Sequence, residues 1–260
     1  MPPDLIDTHS HLDVDAFDAD RDAVLAAARA AGVRRHVVCA THAAAWPRLR
    51  AVCDRHPGLY PAYGLHPMYL EHHRPEHLDA LADRLARERP VALGECGLDH
   101  YVETLDRDAQ LRCFDAQLEL ARANDLPVVV HARRAVESVI QRIRRIGGLR
   151  GVVHSYAGSP EQARQLFDLG FLIGIGGPVT YPRAQRLRRL VADMPLDFLL
   201  LETDAPDQPD ADWRGRRNVP ARLETVLHCV AALRREAPEA VAAATTANAV
   251  RLFALPPAPA

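Results

Sequence analysis

Pro127-Val128-Val129-Val130-His131 and Gly151-Val152-Val153-His154 each run from valines straight into a histidine. Short apolar, β-branched runs without polar alternation are how strands buried on both faces of a parallel sheet read. Six more lie along the chain: Leu5-Ile6-Asp7-Thr8, His36-Val37-Val38-Cys39, Tyr60-Pro61-Ala62-Tyr63-Gly64, Val91-Ala92-Leu93-Gly94, Phe171-Leu172-Ile173-Gly174 and Phe198-Leu199-Leu200-Leu201. The segments between them read as helices. Ala16 to Ala31 is alanine-rich and stops at Gly32, and Asp108 to Asn124 spaces Leu111, Phe114, Leu118 and Ala121 three or four apart. Ser159 before Pro160 reads as a cap before a first-turn proline, with helix running to Gly170. Eight strand-helix units in this length fit a (β/α)8 TIM barrel, with a doubly wound open sheet as the alternative. No composition shift or repeat divides the chain, so one domain over 1–260 is expected, with 255–260 as a frayed tail.

Composition narrows the function classes. A chain of 260 residues, 48% hydrophobic, buries a large core without covalent staples. Its five cysteines, odd in number and without a C-x-x-C pair, read as buried free thiols in a reducing cytoplasm. No signal peptide and no membrane-length apolar run is visible, and no obligate protein partner is evident. A net charge of −2 argues against a large nonspecific nucleic-acid surface. All 32 basic residues are arginine, which excludes Schiff-base, Walker and carboxylated-lysine chemistry.

The strand ends carry the chemistry. His9 and His11 follow the first strand two apart and point the same way. Glu95 follows the fourth strand between Gly94 and Gly97, His131 ends the fifth, His154 the sixth and Asp204 the eighth. Glu202 lies on the side of Asp204, one layer deeper, as a supporting group. Barrel active sites form at the C-terminal ends of strands, where all six of these histidines and carboxylates fall. Mixed nitrogen and carboxylate donors suit Zn2+, Mn2+ or Mg2+. Six donors exceed one catalytic ion with an open position and suit two divalent ions about 3.5–4 Å apart sharing a carboxylate. Without lysine, Glu95 is the natural bridge.

The chain resembles the TatD-type metal-dependent hydrolases, a branch of the amidohydrolase superfamily. The matching motifs are Ile6-Asp7-Thr8-His9-Ser10-His11, Gly64-Leu65-His66-Pro67, Gly94-Glu95-Cys96-Gly97-Leu98-Asp99, Pro127 to Arg133, Val153-His154-Ser155-Tyr156 and Leu201 to Pro206. The resemblance implies that His9, His11, Glu95 and Asp204 hold one ion, and that Glu95, His131 and His154 hold the other. It also implies metal-dependent hydrolysis of DNA by a metal-activated water, often as a 3′→5′ exonuclease on single strands or 3′ ends, with Asp204 taking the water's proton. His66, Arg133, Tyr156 and Arg217 match as substrate contacts. Two positions depart from the family pattern: Val219 where many relatives have glutamate, and Arg134 where many have aspartate.

Two other functions compete with the nuclease. A hydrolase of another ester, amide or small phosphoester could use the same site, because fold and metals do not set the substrate. A non-catalytic scaffold would keep the fold but has no need of an intact ligand set. The remaining histidines, His36, His42, His56, His72, His73, His77, His100 and His228, read as surface or packing residues.

Overall fold

The computed structural model describes residues 3–257. Its strands are β1 (Leu5–Ser10), β2 (Val33–Cys39), β3 (Leu59–Tyr63), β4 (Ala92–Asp99), β5 (Val128–Arg133), β6 (Gly151–Val153), β7 (Phe171–Ile175) and β8 (Leu199–Leu201). Its longer helices are α1 (Arg21–Ala30), α2 (Trp46–Arg55), α3 (Glu76–Glu88), α4 (Arg107–Ala123), α5 (Val136–Ile146), α6 (Pro160–Asp168), α7 (Gln185–Asp193), α8 (Leu223–Arg234) and α9 (Pro238–Phe253). The sheet order is the chain order, β1 to β8. A doubly wound sheet would reverse its order part-way. The fold is the (β/α)8 barrel expected from the sequence. No helix among the described residues is long and apolar enough to cross a membrane.

Two compact units make up the chain. The first draws on residues up to Val38, on Val52–Tyr60 and on residues from Ile173 onward. In it β1 pairs with β2 in parallel, from Leu5↔Val33 to Ser10↔Val38, and β7 pairs with β8. The first and last strands also meet here. The Thr8 hydroxyl donates to the Leu201 carbonyl at 2.9 Å, and Ser10 bridges to Ala205. Helix α9 covers both strands with Val241, Ala249, Leu252 and Phe253, all buried. Val241, Leu252 and Phe253 each contribute roughly 1.5–3 kcal/mol on leaving water.

The second unit draws on Cys39–Ala51 and Pro61–Leu172. Strands β3, β4, β5 and β6 pair side by side, and β5 meets β6 through Val128↔Gly151 and Val130↔Val153. Helix α4 lies on β4, and α5 turns Val139, Ile140 and Ile143 inward.

Three local expectations change. Regular helix α1 begins at Arg21, after a separate turn at Asp15–Phe17. Buried Phe17 and the Arg21 side chain, which donates to the Leu12 and Val14 carbonyls, hold that turn. Strand β4 runs on to Asp99, so Glu95 lies inside the strand instead of after it. The strand continues because Gly97, at φ +141°, pairs with His131, where a Cβ would come within 2.1 Å of the His131 carbonyl oxygen. The C-terminal segment is tied down through Pro256. Leu255 is buried, and the Pro256 carbonyl accepts from Arg35 at 3.0 Å. The expected tail at 258–260 lies outside the described residues. Elsewhere the local readings hold: Ser159 and Gln162 form a reciprocal cap on α6, and Gly32 and Gly170 adopt positive φ after α1 and α6.

Candidate metal centre

In the first unit, three predicted ligands converge. Asp7 is fully buried, and its carboxylate accepts from the Thr203 amide at 2.9 Å and the Thr203 hydroxyl at 2.5 Å. This sets β1 against the segment after β8. The backbone then cross-links at the ligands themselves: the Asp204 amide donates to the His9 carbonyl at 2.9 Å, and the His11 amide to the Ala205 carbonyl at 2.8 Å. Asp204 takes φ +58°, a conformation aspartate tolerates better than most residues. His9 Nε2 and His11 Nε2 lie 3.3 Å apart, and Asp204 Oδ1 is 3.4 Å from the first and 3.5 Å from the second. A point equidistant from those three atoms is about 2 Å from each, the length of a metal bond to imidazole or carboxylate. The donor set fits a divalent ion.

Gln208 and Asn218 complete this half, and sequence reading missed both roles. Gln208 Nε2 donates to the other Asp204 oxygen, Oδ2, at 2.5 Å. Asn218 clamps the loop, donating to the Thr203 carbonyl at 2.9 Å and the Asp207 carbonyl at 2.8 Å. Glu202 is buried as expected, and Gly174 makes room for it, since a Cβ there would meet Glu202 Oε2 at 2.0 Å.

In the second unit, three imidazoles surround one oxygen. Glu95 Oε1 is 2.8 Å from His154 Nε2, 3.0 Å from His66 Nε2 and 3.1 Å from His131 Nδ1. His66 Nδ1 accepts from the Met68 amide at 3.1 Å, so the neutral ring carries its proton on Nε2 and donates to Glu95. His131 Nε2 faces Asp99 Oδ2 at 3.0 Å, which turns Nδ1 toward Glu95 and toward His154 Nε2, 3.4 Å away. With its proton directed at Asp99, His131 presents a lone pair to a carboxylate, an arrangement that calls for a cation or a second proton between them.

The protonation tendencies agree with that. Burial lowers the affinity of His131 for a proton, but its bonds to Asp99 and Glu95 outweigh burial and raise its pKa. Burial pushes the Asp99 carboxyl up, yet the His131 bond and the Val102 and Tyr101 amides bring it down to about 2. The second cluster therefore also fits a divalent ion, with Glu95, His131 and His154 as the donors and His66 and Asp99 as orienting partners.

Helix α4 supports this cluster through two buried glutamines the sequence reading passed over. The Gln117 amide accepts from Leu65 N at 2.8 Å and donates to Leu65 O at 3.1 Å, one residue before His66. The Gln110 amide pairs with Asp99 in the same way, at 2.7 and 3.0 Å. Two polar residues seven apart on an otherwise buried helix face were the available signal.

The expected substrate contacts lie in different settings. His66 is buried on Glu95. Tyr156 is buried, its hydroxyl donating to the Ser159 carbonyl at 2.7 Å. Arg133 is exposed and lies over the Tyr101 ring. Arg217 is exposed, pairs with Asp20 at 2.6 Å and lies over Phe17. Of the residues read as bystanders, His42 stacks on Tyr69 with centroids 5.2 Å apart, while His36 is buried 3.9 Å from Asp7.

Comparison with known proteins places these motifs in context. The family model described as TatD related DNase matches residues 6–254. An uncharacterized metal-dependent hydrolase of Escherichia coli K12, YjjV, is 41% identical over 254 residues, covering 96% of this chain and 98% of its own. A protein of Erwinia billingiae named 3′-5′ ssDNA/RNA exonuclease TatD is 37% identical, covering 92% and 95%. The crystal structure of E. coli YjjV, a TatD homologue, superposes with a TM-score of 0.92 at 39% identity, covering 97% of this chain and 98% of that one.

Proposed function

The chain belongs to the TatD related DNase family of metal-dependent hydrolases, and from that premise we propose that it cleaves DNA phosphodiester bonds, working 3′→5′ on single strands or 3′ ends. The observation that carries the reading is the pair of donor sets, His9–His11–Asp204 and Glu95–His131–His154, each converging within its own unit. His9, His11 and Asp204 would hold one ion, and Glu95, His131 and His154 the other. The ions are Mg2+, Mn2+ or Zn2+. When bound, they lower the pKa of water toward neutrality and offset charge gathering on the phosphorus.

The chain's own groups do the remaining work. Asp204 accepts the proton that the attacking water gives up and returns it to the departing alkoxide as the P–O bond breaks. Asp99 keeps the His131 proton on Nε2, and His66 holds Glu95 in place through Nε2–H. Arg133 and Arg217, whose guanidinium groups reach solvent, are the candidate phosphate contacts. Tyr156 and His66 act through their buried partners, the Ser159 carbonyl and Glu95. Five cysteines without a disulfide support a cytoplasmic setting.

The test uses single-stranded DNA labelled at the 3′ or the 5′ end, incubated with Mg2+ or Mn2+ and wild-type protein or Glu95→Ala. A ladder shortening from the 3′ end, absent in the variant and with chelator, is the expected result. Intact DNA beside turnover of chromogenic esters or amides would reject the nuclease and leave a hydrolase of another small ester, amide or phosphoester.

A further inference from the structure

We infer that Tyr101, Arg133 and Arg134 form an anion-binding element for a second phosphate, so that the substrate is a strand carrying neighbouring phosphates and not an isolated phosphoester. The inference rests on the nuclease reading above and goes beyond the ligand set. Arg133 places its guanidinium carbon 3.7 Å from the Tyr101 ring centroid, and Arg134 lies 4.8 Å from the same centroid. Tyr101 is one of three exposed large apolar side chains among the described residues. Neither arginine makes an ion pair among those residues, whereas Arg142 and Arg145 share Asp115, Arg150 holds Asp125 and Arg84 holds Glu88.

Two guanidinium groups on one ring repel each other without a carboxylate between them. The ring offsets part of that through cation–π attraction, which leaves the N–H edges free for an acceptor. Planar guanidinium forks bind phosphate oxygens bidentately while stacked in this way. Arg134 takes φ +54°, a left-handed conformation that L side chains rarely adopt, and lies on the ring beside Arg133.

The location ties the element to the hydrolytic cluster. Arg133 ends β5 two residues after His131, a distance of about 6.6 Å along an extended strand. The Tyr101 amide donates at 2.9 Å to Asp99 Oδ1, and the other oxygen of Asp99 faces His131. The same carboxylate thus orients a metal-binding imidazole and anchors the ring carrying the arginines. A phosphate held here would belong to a nucleotide next to the one being cleaved.

The experiment measures binding of a fluorescein-labelled single-stranded DNA oligonucleotide by anisotropy over a salt series, in chelator so that nothing is cut. Wild type is compared with Arg134→Ala, Tyr101→Leu and Tyr101→Phe, with folding checked by circular dichroism. In parallel, turnover of bis(4-nitrophenyl) phosphate with Mn2+ reports the hydrolytic groups alone. Arg134→Ala is expected to lower the slope of log affinity against log salt by about 0.7, one phosphate contact. It should weaken binding roughly 3- to 10-fold at low salt. Tyr101→Leu should do the same, Tyr101→Phe should keep the wild-type slope, and small-diester turnover should hold in all three. A wild-type slope in both Arg134→Ala and Tyr101→Leu, with the wild-type protein still cutting DNA, overturns this inference and leaves the nuclease standing. Wild-type protein that neither binds nor cuts the oligonucleotide but turns over small esters overturns the nuclease reading and this element with it. If Arg134→Ala fails to fold, Tyr101→Leu against Tyr101→Phe decides.

Discussion

Replacing Asp7 with alanine should loosen the seam between β1 and the segment after β8 without touching a ligand. The carboxylate is fully buried and accepts from Thr203 twice, at 2.9 Å from the amide and 2.5 Å from the hydroxyl, with a longer contact of 3.4 Å from the His9 amide. A hydrogen bond to a charged acceptor contributes about 1.5–3 kcal/mol, and its loss strands a buried donor. Two such bonds make the expected loss about 3–5 kcal/mol, the range for breaking a buried charged network. For a chain of this size that lowers the melting midpoint by roughly 6–20 °C. Asp7→Asn keeps one acceptor for the Thr203 amide and should lose about half as much. The assay is thermal unfolding followed by circular dichroism in excess chelator, so that metal binding does not mask the difference. Since His9 and Asp204 flank the lost contact, Mn2+ affinity should fall in parallel. An Asp7→Ala protein within about 1 kcal/mol of wild type would refute the argument, because Thr203 would then have found other acceptors.

Three further outcomes follow from the same geometry. Gln208→Ala removes the hydrogen bond to Asp204 Oδ2 and should weaken Mn2+ binding to the metal-free protein roughly 10-fold, read by electron paramagnetic resonance; unchanged affinity would remove Gln208 from the site. Gly97→Ala drives a methyl group to 2.1 Å from the His131 carbonyl oxygen and should cost roughly 3 kcal/mol or more, with a midpoint near wild type counting against the β4–β5 register. Burial pushes the Cys113 thiol up to about 11, against the opposing Gln117 bond. Only about one thiol in a thousand is then ionised at pH 8, so alkylation of Cys113 by iodoacetamide, followed by mass spectrometry, should rise about tenfold per pH unit from 8 to 10. A plateau near pH 9 would contradict the burial.

The valine runs ending in His131 and His154, and the other six apolar runs, were legible because side-chain burial in a strand is a local pattern. A residue's face is set by its neighbours one and two positions away, and five or six residues suffice to read it. The same locality made the ligand types readable, since a histidine or acid ending an apolar strand faces the functional end of a barrel. The extension of β4 through Glu95 to Asp99 was not legible, because it depends on Gly97 meeting the backbone of a strand more than thirty residues away. Nor were the supports. Asp7 meets Thr203 across 196 residues, Gln117 meets Leu65 across 52, and His131 faces Asp99 across 32. Periodicity tells which way a side chain points and nothing about what waits there. Sequence alone determined where along the chain the strands fall and the chemical kinds at their ends, while the tertiary structure decided their order in the sheet. Tertiary structure decided which oxygen of Asp204 faces the histidines, which nitrogen of His131 faces Glu95, and which arginines stand without a carboxylate, because hydrogen-bond partners are fixed by register between distant segments.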